Sequence, residues 1–276
     1  MAKVPAFPEL GRSAKDVLYG GKEGVFQFDK LLSVTSKTSD GVDFAVRAVG
    51  SDSALELDLK SVYAADKYTL TTAITPGGKI GVAATCKELA PGLTMGVSGT
   101  LPDPSTAKMA VDYAAPHLTL KSVISLTSSP KVDVSATTGH EGVTLGASAS
   151  YDSAKAALTK WQTALGYTAA DYQVTAALSD TQQLSLLVAH RVTVDTSLGA
   201  EVVRDLSAGT TSFSFGVQRA LAGGAVTKAK LENNGLLSLL YEQELRPRTK
   251  LAVSAQVDAL NLDRAPKYGL GLDIKY

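Results

Sequence analysis

The sequence predicts an all-β fold, a transmembrane β-barrel preceded by one short amphipathic helix. Three observations predict it. From about residue 24 onward the chain is built of segments of eight to eleven residues that alternate apolar and polar side chains, the period of a strand with two unlike faces. Short turns containing Gly, Asp, Asn, Ser or Pro bound these segments, as antiparallel neighbours require. No charge-free apolar run reaches the roughly eighteen residues a spanning helix needs. Every backbone polar group in hydrocarbon must be paired within the protein, so a membrane protein of this kind is left with a closed barrel.

The elements follow in order. Phe7, Leu10, Ala14, Val17 and Leu18 recur at spacings of three and four, with Glu9, Arg12, Ser13, Lys15 and Asp16 on the other face, which is an amphipathic helix. Pro5 and Pro8 precede it or sit in its first turn, where proline is tolerated. It ends at Gly20-Gly21, and these two with Gly24 form a flexible joint. Residues 1–24 are therefore a helix and glycine linker, and residues 25–276 the barrel. Strand-like alternation then appears at Phe44, Val46 and Ala48; at Leu55, Leu57 and Leu59 against Glu56, Asp58 and Lys60; at Val132, Val134 and Ala136; at Val143, Leu145 and Ala147; at Phe213, Phe215 and Val217; and at Leu251, Val253 and Ala255. Roughly eighteen to twenty such segments are counted. Ser39-Asp40-Gly41, Pro76-Gly77-Gly78, Pro102-Asp103-Pro104, Gly139 to Gly142 and Ala222-Gly223-Gly224 mark turns. One face of these segments is Ser, Thr, Lys and Asp, and the other is often only Ala, Val or Thr. That suits a wet lumen better than a packed core. A soluble β-sandwich or solenoid is the alternative that the alternation alone leaves open.

Composition limits the function classes. Lys plus Arg and Asp plus Glu number 27 each, giving a net charge of zero, so no global field directs the chain to nucleic acid. The single cysteine, Cys86, excludes an intrachain disulfide framework and any multi-cysteine metal cluster. The start, Met1 to Val17, lacks the apolar core of a secretory signal and carries acids that a mitochondrial transit peptide avoids, so no cleaved address is expected. His117, His140 and His190 stand apart in sequence, without metal-ligand spacing or a nearby nucleophile and acid, and His140 reads as a turn residue. Gly20 to Gly24 lacks both the preceding strand and the Ser/Thr of a phosphate loop. Enzyme chemistry, a metal and a cofactor are accordingly not expected.

Phe7 to Val17 resembles the amino-terminal helix of voltage-dependent anion channels. At the far end, Gly235 to Tyr241, Leu245 to Leu251 and Lys267 to Ile274 resemble the last three strands of that family, plant or algal type. The resemblance covers the whole chain. It implies a barrel of about 19 strands with the helix in the lumen; that count is a known property of the family and not a reading of this sequence. It also implies a parallel pairing of the first strand, near Val25 to Ser36, with the last, near Lys267 to Lys275. The expected activity is a voltage-gated, weakly anion-selective channel that passes ATP, ADP, phosphate and other small metabolites across the mitochondrial outer membrane. The implied partners are membrane lipid, the permeating nucleotides and anions, other copies of the chain, and cytosolic kinases that dock on it. A protein-import pore of the same barrel family is the alternative.

The resemblance also assigns residues. Arg12 and Lys15 are the pore-lining cations, Gly20, Gly21 and Gly24 the hinge, and Lys267, Gly269, Leu272 and Ile274 the signal for outer-membrane insertion. Lys22, Leu236, Leu237, Ser238, Ser254 and Asp258 are nucleotide-contact candidates. Two departures are visible. Gly92-Leu93-Thr94 stands where many members have Gly-Leu-Lys, and Ile74 stands where some animal members carry a membrane-facing glutamate used in docking. The first weakens a specific nucleotide site, and the second weakens hexokinase-type docking.

Overall fold

The computed structural model describes residues 4–20, 25–50 and 55–276. A 3-10 turn at Phe7–Glu9 and an α-helix, α1 (Arg12–Tyr19), precede the strands. These are β1 (Lys30–Lys37), β2 (Val42–Gly50), β3 (Leu55–Ala64), β4 (Tyr68–Ile74), β5 (Ile80–Ala90), β6 (Leu93–Leu101), β7 (Lys108–Ala114), β8 (Leu118–Ser125), β9 (Lys131–His140) and β10 (Val143–Asp152). They continue with β11 (Ala157–Thr168), β12 (Tyr172–Ser179), β13 (Gln183–Arg191), β14 (Thr196–Asp205), β15 (Thr211–Ala220), β16 (Val226–Glu232), β17 (Leu236–Arg246), β18 (Thr249–Asp258) and β19 (Lys267–Lys275). Antiparallel registers run from β3 to β10 and from β12 to β19. β1 pairs with both β2 and β19, so the nineteen-stranded sheet closes as a β-barrel. Strands that alternate in direction leave the first and last of an odd number running the same way, which makes the β1–β19 pairing parallel.

Two sequence expectations are corrected. The amphipathic segment is not one helix: Leu10 is extended (ψ 132°) and Gly11 is left-handed (φ 70°), so the 3-10 turn and α1 are separate pieces. A residue with a side chain at Gly11 would meet both that backbone conformation and Leu187 Cδ1, 2.6 Å from the added Cβ. The first strand begins at Lys30, not near Val25. Before it, the Gln27 carbonyl accepts from Ser254 Oγ, and Asp29 O accepts from Leu270 N at 3.1 Å. Gly269 leaves the room the Gln27 carbonyl occupies.

The chain forms two compact units. The first holds Met1–Leu10, Thr35–Arg47 and Glu56–Leu165. In it Thr119 Oγ1 donates to Val4 O at 2.8 Å. Phe7 and Leu10 pack on Gly146, where an added Cβ would stand 2.7 Å from Phe7 Cδ2. The second holds Gly11–Val34, Ala48–Leu55 and Gly166–Tyr276, including α1 and β12 to β19. Large apolar side chains are buried at few places, and Leu18, Leu187 and Leu240 are among them. Most others, such as Leu57, Leu59, Leu145, Leu165, Phe213, Phe215, Leu239 and Val253, are exposed and alternate with polar neighbours. In water that surface would aggregate; in a bilayer it is the face that lipid covers.

Candidate functional site

Lipid can cover only one face of each strand, so the opposite face looks into the lumen, and α1 lies on that face of β13 to β15. Its Ala14, Val17 and Leu18 are buried there, Leu18 completely. The strand residues beneath are small because the helix comes close. A Cβ at Gly199 would stand 3.0 Å from Val17 Cβ, and one at Gly216 would stand 3.0 Å from Leu18 Cδ2. Burying the Val17 and Leu18 side chains contributes roughly 1.5–3 kcal/mol each. That outweighs the propensity of a helix far below the length that is stable alone.

The other face of α1 turns away from the wall. Arg12, Ser13 and Lys15 are exposed on it. Arg12 Nε lies 3.7 Å from Asp16 Oδ2 one turn on, a water-screened pair worth a few tenths of a kcal/mol, about the usual value for this spacing. Lys15 makes no ion pair with any described residue, so its charge stands open to the lumen.

The helix carries no basic residue in its last turn, and the wall supplies one. Lys228 Nζ, on β16, donates to the Asp16 carbonyl at 2.8 Å, placing a cation at the negative end of the helix dipole. Lys230 Nζ pairs with Glu232 Oε1 at 2.7 Å and lies 4.8 Å from the centre of the Tyr19 ring. The Tyr19 hydroxyl donates to the Glu201 carboxylate. Partial burial, then that carboxylate, push the phenol's pKa up and keep it a protonated donor.

Two polar recesses adjoin the amino-terminal segment, one in each unit. A recess of about 310 Å³ in the second unit is lined by Ser13, Asp16, Asp171, Gln173, Arg191 and Gln218, among others. One of about 400 Å³ in the first unit includes Glu9, Thr94, Asp112, Thr119 and Lys121. Thr94 is in register with Asp112, and Asp112 Oδ2 lies 3.6 Å from Lys121 Nζ. A cation thus stands two strands from the position where Thr94 lacks one.

Against known proteins, the sequence profile of the family described as "Eukaryotic porin" matches residues 3–271. The chain belongs to the eukaryotic porin family. It is 30% identical to mitochondrial outer membrane protein porin 4 of Arabidopsis thaliana and 27% identical to mitochondrial outer membrane protein porin 6 of Oryza sativa subsp. japonica, over the whole of all three chains. A solved Rhodopseudomonas blastica porin, a triple mutant, is similar at a TM-score of 0.50 and 12% identity, over 82% of this chain and 91% of that one, a likeness of fold alone. The address of this porin is the mitochondrial outer membrane, which it crosses by strands.

The structure separates the residues singled out in the sequence. Of the hinge, Gly20 is described, with φ 93° and ψ 149° at the end of α1; Gly21 and Gly24 lie outside the described residues, as does Lys22. Among the nucleotide-contact candidates, Leu236, Ser238, Ser254 and Asp258 are on the lumen face of β17 and β18, and Leu237 faces lipid. Ser238 is fully buried and receives a hydrogen bond from Gln256 Nε2 at 3.2 Å. Ser254 is buried against Gln27. Asp258 accepts from the backbone N–H groups of Leu260 and Asn261 in the following turn and lies 3.7 Å from Arg264. In β19, Lys267 and Gly269 share the lumen face, while Leu272 and Ile274 share the lipid face. Ile74 is exposed on the lipid face between Leu59 and Ile80, and Cys86 is exposed in register with Tyr68 and Met95. The expectation that the histidines stand apart is corrected for one pair. His140 closes β9 rather than lying in a turn, and its ring meets that of His117 edge to face at 5.8 Å.

Sequence reasoning did not reach Lys228, Lys230, Glu201 or Lys121. Each occupies an ordinary polar-face position in its strand, and alternation was the only signal that could have placed it in the lumen.

Proposed function

We propose that this porin is a voltage-gated, weakly anion-selective channel through which ATP, ADP, phosphate and other small metabolites diffuse across the mitochondrial outer membrane. A pore for small solutes is the coarser reading that the family and the relatives support. The observation that carries the finer one is the exposed Arg12 and Lys15 face of α1, with Lys15 unpaired among the described residues. In a wide pore, selectivity comes from fixed lumen charge and not from a tight site. Two cations on a helix that lies against the wall raise the local concentration of anions, and a distributed attraction lets them leave again. Gating follows if the helix or neighbouring strands move at the Gly20, Gly21, Gly24 joint, since one charge crossing the full field is worth about 2.3 kcal/mol per 100 mV.

Copies of the chain associating in the membrane, and kinases docking on it, belong to the same proposal. Ile74, exposed on the lipid face where some animal members carry a docking glutamate, weighs against a kinase contact of that type at this strand. Insertion through the segment containing Lys267, Gly269, Leu272 and Ile274, and weak nucleotide contact near Leu236 and Asp258, are part of it too.

The test is the reversal potential of the reconstituted chain in a KCl gradient, with and without ATP. Anion preference that falls in Arg12→Gln/Lys15→Gln supports the reading. A cation-preferring pore blocked by peptides favours protein import instead. Replacing Gly21 and Gly24 by proline or valine should alter voltage dependence, and an unchanged response would sink the hinge.

A further inference from the structure

We propose that His117 and His140 form an exchangeable site for a divalent transition-metal ion of the Zn²⁺ or Cu²⁺ class, at the open end of the β8–β9 hairpin. The site is independent of the anion-selective reading above. His117 immediately precedes β8 and His140 is the last residue of β9. The ladder sets Leu118 opposite Thr138, and the His117 carbonyl extends it, accepting from Gly139 N at 3.2 Å and from Thr138 Oγ1 at 2.9 Å. On the other side of His140, Glu141 and Gly142 are both left-handed, at φ 50° and 86°, in the tight turn to β10. Both backbones are therefore held before any ligand arrives, and the two ring centres stand 5.8 Å apart. Turn backbone cannot lie in hydrocarbon, so the pair is at the water boundary.

Both side chains are exposed, and neither ring makes a hydrogen bond or ion pair with any described residue. Ring contacts at other turns are made by tyrosines: Tyr63 with Tyr68 at 6.0 Å across the β3–β4 turn, and Tyr167 with Tyr172 at 5.8 Å across the β11–β12 turn. A phenol gives such a contact and suits the membrane interface. Two imidazoles add a pair of neutral nitrogen donors, the commonest protein ligands for metals. Imidazoles that share one ion at about 2.0–2.1 Å from each nitrogen hold their ring centres about 5–6 Å apart, which is the separation found here. The rings now meet edge to face. Rotation about χ2, a broad torsion, turns the nitrogens toward a common point and leaves the ring centres almost in place. Two protein ligands leave the remaining positions to water, which suits an ion that comes and goes. Imidazole favours zinc, copper and nickel, whereas magnesium and calcium take oxygen.

The neighbours of the two histidines carry the amino terminus on the lumen side. Thr119 Oγ1 donates to Val4 O, and a Cβ at Gly139 would stand 3.3 Å from Val4 Cγ2. An ion that clamps His117 to His140 stiffens the strip of wall on which residues 4–10 rest.

The experiment titrates Zn²⁺ by calorimetry into the full chain, without an affinity tag, in phosphatidylcholine vesicles with millimolar Mg²⁺ and Ca²⁺ present. One ion per chain is expected. His117→Gln and His140→Gln should each weaken binding roughly tenfold or more, and the double replacement should lose little beyond either one, because a chelate fails with its first arm. His190→Gln and Cys86→Ser should leave binding unchanged, and circular dichroism checks that each variant keeps its strand content. A second measurement needs no variant: Zn²⁺ should slow diethyl pyrocarbonate modification of His117 and His140 together, read by peptide mass spectrometry, and leave His190 unaffected. Absence of saturable binding overturns the proposal. So does Zn²⁺ affinity that survives either histidine replacement in a folded chain, or protection that falls on one of the two residues alone or equally on His190.

Discussion

The two pieces of the amino-terminal segment are held by different physics. Residues 4–10 rest on β8 to β10 through shape: Phe7 and Leu10 against Gly146, Val4 against Gly139, and one neutral hydrogen bond from Thr119 to Val4 O. The α1 helix also uses shape, with Val17 and Leu18 over Gly199 and Gly216, but its end is fixed by Lys228, by Tyr19 with Glu201, and by Lys230 over the Tyr19 ring. Apolar contact resists separation and is indifferent to sliding. A carbonyl capped by one ammonium, and a phenol aimed at one carboxylate, fix position along the wall as well. The second piece therefore has a register and the first mainly a footprint.

Substitutions test that contrast. The largest effect is expected at Leu18, which has no exposed surface: Leu18→Ala should weaken α1 docking by about 2–4 kcal/mol, seen as faster amide exchange through Arg12–Tyr19 with exchange at β8 to β10 unchanged. Next, Gly146→Val intrudes on Phe7 and Leu10 and should cost about 1–3 kcal/mol. That loss should appear as exposure of residues 4–10 to protease while α1 stays protected. If Gly146→Val loosens α1 as much as Leu18→Ala does, the two pieces dock as one and the contrast is wrong. Thr119→Val removes the bond to Val4 O and should cost about 1 kcal/mol. A much larger loss in the same protease assay would mean that the first piece is also positioned by polar contact. The smallest effect lies outside both pieces, in the turn between β6 and β7, where Ser105 donates to Asp103 from its hydroxyl at 2.6 Å and its N–H at 3.0 Å. These bonds hold the carboxyl below its usual pKa. Its contribution is present above the unfolded value of about 3.9 and is lost as pH falls through the lower folded value. Asp103→Asn should melt slightly lower than the unaltered chain near neutral pH and equal it in strong acid. A constant difference at all pH values would assign the effect to the side-chain shape.

The barrel was legible because a strand with lipid on one side and water on the other has to alternate, and Leu55 to Lys60 or Leu251 to Asp258 show that without ambiguity. The boundaries were less so. Val25 to Phe28 has the composition of a strand but lies outside the sheet ladder, ahead of β1, where the Gln27 carbonyl accepts from Ser254. The break at Gly11 was hidden because Phe7, Leu10, Ala14 and Val17 keep helical spacing straight through it. At the site, Arg12 and Lys15 were readable from one amphipathic face. Lys228 was not, since its partner, Asp16, lies more than two hundred positions away and only the closed sheet brings them together.

The seam between β1 and β19 joins the two ends of the barrel wall. Closing a loop nearly as long as the chain carries the largest entropic cost of any pairing in the molecule and makes that contact intrinsically slow. Hairpins formed along the way shorten the flexible loop that remains to be closed, but until Lys267 to Lys275 has been synthesised β1 has only one of its two neighbours. A ribosome-bound or carboxy-terminally truncated chain therefore presents two unpaired strand edges, and assembly has to keep these shielded until the last nine residues of sheet arrive.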